Sequence, residues 1–338
     1  MTVDRVALTA LVKAAAREAG FSRVGVAAAH DRPEDARHLG AWLDAGMHGP
    51  MAWMAKAPER RADPRRVVDG AAAVIMLALD YDSDAPRSID VVGRDGASAA
   101  QGTGWISRYA WGDDYHDVAE KRLRGLTDDV ARQVPALLGR DFDAAREFRW
   151  MVDYGPLLER RWAQEAGLGW QGKHSLLVDP QRGSFFFLAG IITTLPLLPD
   201  AAQTDHCGSC TRCIDACPTD AIVRPYVVDA RRCISTVTIE TRGELEPGVA
   251  ALVGDHVFGC DICQDVCPFN RFSQASGEPA FAPRPGSVAP SLVDLLGLDE
   301  DGFRERFRRS PLKRAKWAGL LRNVRAVVAN QAARSAGD

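Results

Sequence analysis

The chain has 338 residues, 46% of them apolar and 26% charged, which is enough apolar content for self-supporting cores without a disulfide scaffold. Its formal net charge of −3 excludes a general attraction to polyanions, although the charge is unevenly spread. The length fits two or three domains.

Near the N-terminus, Leu8, Leu11, Val12 and Ala15 recur at helical spacing. Asp4, Arg5, Lys13, Arg17 and Glu18 interrupt any leader-like apolar stretch, so an amphipathic helix and a cytoplasmic location are expected. Val74 to Leu79 reads as a buried strand running to Asp80 and Tyr81, and Asp113 to His116 opens a long helix towards Gln133. Met151 and Val152 read as a strand end with Asp153 at its tip, after which Gly155 and Pro156 turn the chain into a helix over 157–166. Leu176 to Val178, a turn over 179–183 and Phe185 to Leu188 read as strand, turn and strand. The longest apolar run, Phe185 to Leu198, is broken by Thr193, Thr194 and Pro196 and falls short of the ~20 residues of a membrane span. Helices alternating with strands predict an α/β layer over residues 1–200. A polar connection over 196–205 leads into a cysteine region, Pro279, Pro283, Pro285 and Pro290 mark a second linker, and residues 291–338 read as helical and basic.

The 8 cysteines all fall between 207 and 267, a clustering that points to metal rather than disulfides. One run is Cys207-x2-Cys210-x2-Cys213-x3-Cys217-Pro218 and the other is Cys260-x2-Cys263-x3-Cys267-Pro268, with Cys233 between them. The first run has the spacing of bacterial two-cluster ferredoxins, in which the fourth cysteine ligates the other cluster. On that rule one [4Fe–4S] cluster takes Cys207, Cys210, Cys213 and Cys267. The second takes Cys217, Cys260, Cys263 and one more; Val257 occupies the usual position, which leaves Cys233. Four-cysteine zinc sites also use paired knuckles, but a triple knuckle followed by x3-Cys-Pro suits cubanes better. Two cubanes form an electron wire, and the chain before Cys207 is far longer than a bare carrier needs.

The chain resembles the epoxyqueuosine reductase family. The likeness lies in Arg108 to His116, Val152 to Pro156, Gly167 to Ser175, Gly183 to Leu188, Asp229 to Ser235, Gly259 to Cys263, Ser310 to Arg314 and Leu321 to Asn323. It implies reduction of epoxyqueuosine to queuosine at the wobble position of a tRNA. Electrons would pass from an external low-potential donor through two [4Fe–4S] clusters to a base-off cobalamin, in a monomer with no membrane partner. The fold class it implies is α/β (α+β): a nitroreductase-like cobalamin-binding domain over 1–200, then a bacterial ferredoxin-like two-[4Fe–4S] domain over 201–277. A linker and short HEAT-like basic helical segment over 278–338 would contact tRNA.

By the same resemblance Asp153 is the proton donor, because the departing epoxide oxygen needs one beside it. Cobalamin contacts would fall on Arg61, Ser107, Asp153, Leu177, Leu188, Ser235, Cys260, Asp261, Ile262 and Cys263, with Lys173 and His174 at its tail or phosphate. Asp114-x-His116-x-x-Ala119 lacks the glycine of the D-x-H-x-x-G signature, so no axial histidine is expected.

Between Arg304 and Arg325 the only acid is Glu305. Within and beside that run, Arg308, Arg309, Lys313, Arg314 and Arg242 are expected to meet the phosphates of the anticodon stem-loop, with the modified base flipped out of its stack. Two other readings use similar parts. A corrinoid reductive dehalogenase would act on small molecules and usually carries an export signal, and a plain two-cluster electron carrier would bind no corrin.

Overall fold

The computed structural model of the chain describes residues 3–92 and 101–336. Its centre is a four-stranded sheet of β1 (Arg23–Ala28), β2 (Ala73–Asp80), β3 (Phe148–Met151) and β4 (Phe186–Thr193), in the spatial order β1-β2-β4-β3. Every pairing in it is antiparallel, so the mixed helix and strand content is of the α+β kind. Side chains alternate along a strand, and β2 shows why it reads as one continuous apolar run. Ile75, Leu77 and Leu79 face the helices Arg5–Glu18 and Tyr115–Leu138. Val74, Met76 and Ala78 face Trp162, Ala163 and Ala166 around the helix Glu159–Glu165. Both faces of the sheet are therefore covered.

Local chemistry sets the helix ends. The Asp4 carboxylate accepts the N–H groups of Val6 and Ala7, both at 3.0 Å, and Asp114 accepts that of His116 at 3.1 Å. The Tyr115–Leu138 helix runs past Gln133 and through Pro135, where Val134 is buried in the core, and stops at Gly139 with φ 63°. Proline removes one donor from the helix ladder, a loss that burial of its neighbours offsets.

Two expectations about connections are corrected. Leu177–Val178 does not form a hairpin with the strand that follows; it pairs with Trp170–Gln171, while Phe186–Thr193 enters the main sheet as β4. The intervening turn closes with a bridge between Asp179 and Gly183. The proline-rich stretch over 278–290 is no free tether either, because Phe281 is buried in the core beneath the Tyr115–Leu138 helix.

A second core crosses the expected divisions of the chain. Trp105–Ile106 pairs in parallel with His256–Phe258, and Trp105, Ile106 and Trp111 pack with Phe258, Leu320 and Val324. The last helix, Lys316–Ser335, is tied to this layer by Asn323, whose amide donates to the carbonyls of Thr238 at 2.8 Å and Val257 at 2.9 Å. Among the described residues no helix is long and apolar enough to cross a membrane.

Candidate metal centre and acid site

The eight thiols are free and gather into two quartets. Burial, and then Cys267, Cys207 and Cys210 around it, push the Cys213 thiol up to about 11. Burial likewise raises Cys260, with Cys233 and Cys217 beside it, and raises Cys263, with Cys260, Cys233 and Cys217 beside it. One neighbourhood gathers Cys207, Cys210, Cys213 and Cys267, the other Cys217, Cys233, Cys260 and Cys263. Cys213 also acts on Cys263, so the quartets adjoin.

The donor set fits a polynuclear sulfur-ligated group. Donors surround the thiols as thiolates require. The Trp170 indole N–H points at the Cys207 Sγ at 3.4 Å, and the Ala221 N–H at the Cys217 Sγ at 3.3 Å. Main-chain and side-chain donors of Ser235 reach Cys233.

The acid site is built on the loop that leaves β3. Asp153 is exposed, with φ 56°, in the left-handed region where a non-glycine residue is strained. Its Oδ2 accepts the Tyr115 hydroxyl at 2.6 Å, and its N–H donates to the Glu159 Oε1 at 2.9 Å. Two residues on, the Gly155 carbonyl accepts Arg61 Nη1 at 3.0 Å, while Arg61 Nη2 donates to the Trp53 carbonyl at 3.1 Å. Tyr115 lies flat on Phe187 with ring centres 4.3 Å apart, and His116 stacks on its other side at 4.1 Å. Burial, followed by the Asp153 charge, pushes the Glu159 carboxyl up to about 8 and holds the Tyr115 hydroxyl well above its ordinary range. Tyr115 and Glu159 were not singled out from the sequence. The available signal was Glu159 itself, an acid between Leu157-Leu158 and Arg160-Arg161 where the helix begins.

Several residues expected at a cofactor have partners within the protein. Lys173 is buried, and its ammonium donates to the carbonyls of Gly208 at 2.7 Å and Cys210 at 2.9 Å, so it braces the first cysteine knuckle. His174 Nδ1 accepts the Leu176 N–H at 3.1 Å, and burial with Arg160 nearby pushes the ring down to about 4, leaving it neutral. Ser107 donates its hydroxyl to Asp261, and Asp261 also accepts the Trp105 indole at 3.0 Å and the Arg108 N–H at 2.8 Å. The polar atoms of Lys173, Ser107 and Asp261 are thus engaged inside the protein. Leu177 is buried core, Ile262 is buried as well, and Leu188 is half-buried against the same apolar layer as Leu177. Arg61 is the opposite case, since its Nε is buried with no partner among the described residues.

The basic run divides in two. Arg322 is buried and donates to the carbonyls of Thr241, Gly243 and Val237, so it is structural. Arg308, Arg309, Lys313 and Arg314 are exposed. Arg314 pairs with Glu240 at 2.9 Å and lies over Trp53, and Arg309 stands 3.7 Å from Asp117. Arg242 donates to the carbonyls of Ile239 and Arg314, both at 2.9 Å. Arg308 and Lys313 make no ion pair among the described residues. The Asp153 charge acts on Arg314, which places this strip beside the acid loop.

Comparison with known proteins agrees with this geometry. The epoxyqueuosine reductase QueG family matches residues 61–153, from Arg61 to Asp153, and the 4Fe-4S double cluster binding domain matches residues 206–270. Epoxyqueuosine reductase of Cellulophaga algicola is 42% identical over 314 residues, which is 93% of this chain and 96% of that protein. That of Escherichia coli K12 is 39% identical over 93% of this chain and 78% of its own length. A crystal structure of epoxyqueuosine reductase with a tRNA-Tyr epoxyqueuosine-modified stem loop superimposes with a TM-score of 0.84 at 30% identity, over 98% of this chain and 84% of that one. Identity at this level over 93% of this chain decides the matter: the chain belongs to the epoxyqueuosine reductase family.

Proposed function

We propose that this chain reduces epoxyqueuosine in tRNA to queuosine, with Asp153 as the proton donor. Loss of the epoxide oxygen consumes two electrons and two protons and releases water, leaving a carbon–carbon double bond. The observation that carries the reading is the Asp153 carboxyl, offered to solvent on a loop braced by Tyr115, Glu159 and Arg61, in a chain whose full-length relatives are epoxyqueuosine reductases. Near-complete alignment with that family favours it over a dehalogenase or a bare electron carrier.

The two thiol quartets would hold two [4Fe–4S] clusters fed by an external low-potential donor. A cobalamin would be held by Arg61, whose buried unpartnered Nε supports the assignment, with Ser235, Leu188 and the Cys260–Cys263 segment. Bound together, these groups supply one-electron delivery and a metal that accumulates the pair. The rest of the work falls to this chain's side chains. Tyr115 orients the Asp153 carboxyl, and that carboxyl gives its proton to the departing oxygen. The half-buried Arg61 fixes the loop by its turn carbonyl. Arg308 and Lys313 would meet RNA phosphates while the modified base leaves its stack.

Asp153→Asn tests the assignment. Product formation should fall by about 10²–10⁴, the span of general acid catalysis, while iron content and tRNA affinity stay unchanged. Retained turnover would remove Asp153 from the role.

A further inference from the structure

The loop carrying Asp153 is strained, and something must hold it. Its φ of 56° is strained for a non-glycine residue, and such a conformation persists where its surroundings over-determine it. We propose that Glu159 is a positioning residue, which with Arg61 clips the 153–155 turn into the one shape that presents the Asp153 carboxyl. This rests on Asp153 being the proton donor.

The clip closes on the main chain at both ends of the turn. Glu159 takes the Asp153 N–H at 2.9 Å, and Arg61 gives to the Gly155 carbonyl at 3.0 Å. An acid in the first turn of a helix ordinarily serves the helix dipole. Here the Glu159 oxygen accepts instead from a residue six positions earlier, outside the helix Glu159–Glu165. The groups that face Glu159 are Asp153 on the loop, Arg160 beside it, Arg61 from the Pro58–Ala62 helix and Tyr115 from the long helix. Burial and the Asp153 charge raise the Glu159 carboxyl to about 8. Below that pH it is neutral and accepts the N–H beside Asp153 without repelling it. Above that pH it carries a negative charge that its burial disfavours, and the clip loosens.

The test compares Glu159→Ala, Glu159→Gln and Asp153→Asn in cluster-loaded enzyme, by pH–rate profile on epoxyqueuosine-containing tRNA and by amide hydrogen exchange over 150–158. Glu159→Ala should lose about tenfold in kcat, as expected when a reacting group is misplaced, with KM little changed and exchange over the loop faster. Glu159→Gln keeps the accepting oxygen but cannot ionise, so it should recover most of that rate and lack the fall in rate that the parent enzyme shows above a pH of about 8. A Glu159→Ala enzyme that turns over and exchanges like the parent, or a Glu159→Gln enzyme with the parent's alkaline fall, would overturn the proposal. If Asp153→Asn stays active, the proton-donor assignment has failed instead, and exchange alone decides the clip: faster in Glu159→Ala sustains it, unchanged ends it.

Discussion

Tyr115 carries two separate burdens, because its ring stacks on Phe187 at 4.3 Å while its hydroxyl donates to Asp153 at 2.6 Å. Substitution by phenylalanine keeps the first and removes the second. Losing one such hydrogen bond is worth roughly 0.5–1.5 kcal/mol, so Tyr115→Phe should slow single-turnover product formation by about three- to tenfold at unchanged thermal stability. An equal rate would mean that the carboxyl is oriented by its backbone alone. The same comparison shows what a sequence reveals at this scale. Gly155 and Pro156 put Asp153 at a strand end before a turn, and its role as proton donor came from the family resemblance in Val152 to Pro156. Glu159 and Tyr115 were not singled out, because their importance lies in contacts between segments separated along the chain, which no local spacing encodes. Lys173, Ser107 and Asp261 also have partners that no local spacing encodes. A polar residue in a recognisable motif is read as facing a ligand, yet each of these satisfies buried backbone or side-chain groups.

At the scale of elements, periodicity located β2 and the long helix well, since both bury regular sets of apolar side chains. It paired the later strands wrongly. Leu177–Val178 and Phe186–Thr193 are joined by a convincing turn, but Leu177–Val178 pairs back with Trp170–Gln171, and β4 pairs with β2 along its length and with β3 over Gly190–Thr193. The terminal basic segment was legible as charge and not as geometry. Its density of Lys and Arg does not distinguish Arg322, which caps the carbonyls of Thr241 and Gly243, from Arg308 and Lys313, which remain open. That distinction yields a prediction. Reversing both Arg308 and Lys313 to Glu should weaken tRNA binding by about tenfold and flatten the dependence of log affinity on log salt by about one to two, since each phosphate contact contributes about 0.7–0.9 to that slope. The visible absorption of the metal centres should not change. Binding that keeps the parent's salt dependence would move the RNA contact to another face.

For the molecule as a whole, the cysteine segment is a seam between two cores. On one side, Lys173 and Trp170 hold the first knuckle to the layer beneath the four-stranded sheet. On the other, the segment from Phe258 to Cys263 continues the strand paired with Trp105–Ile106, and Asn323 pins that strand to the final helix. The sheet core is covered on both faces by helices that precede the cysteines and takes Phe281 from beyond them. The second core draws its strands and helices from both sides of the cysteines, so it depends on them being gathered. Binding energy at a site absent from the unfolded chain is folding energy for whatever it gathers. Stripping iron from the protein under anoxic conditions should therefore raise hydrogen exchange in Trp105, Ile106, Phe258 and Val324, while Ile75, Leu77 and Ile191 stay protected. Thermal unfolding should split, with the earlier transition belonging to the second core. Should the stripped protein instead melt in one step with both cores exchanging together, the sheet would be shown to lean on the clusters, and the division of the molecule along this seam would fail.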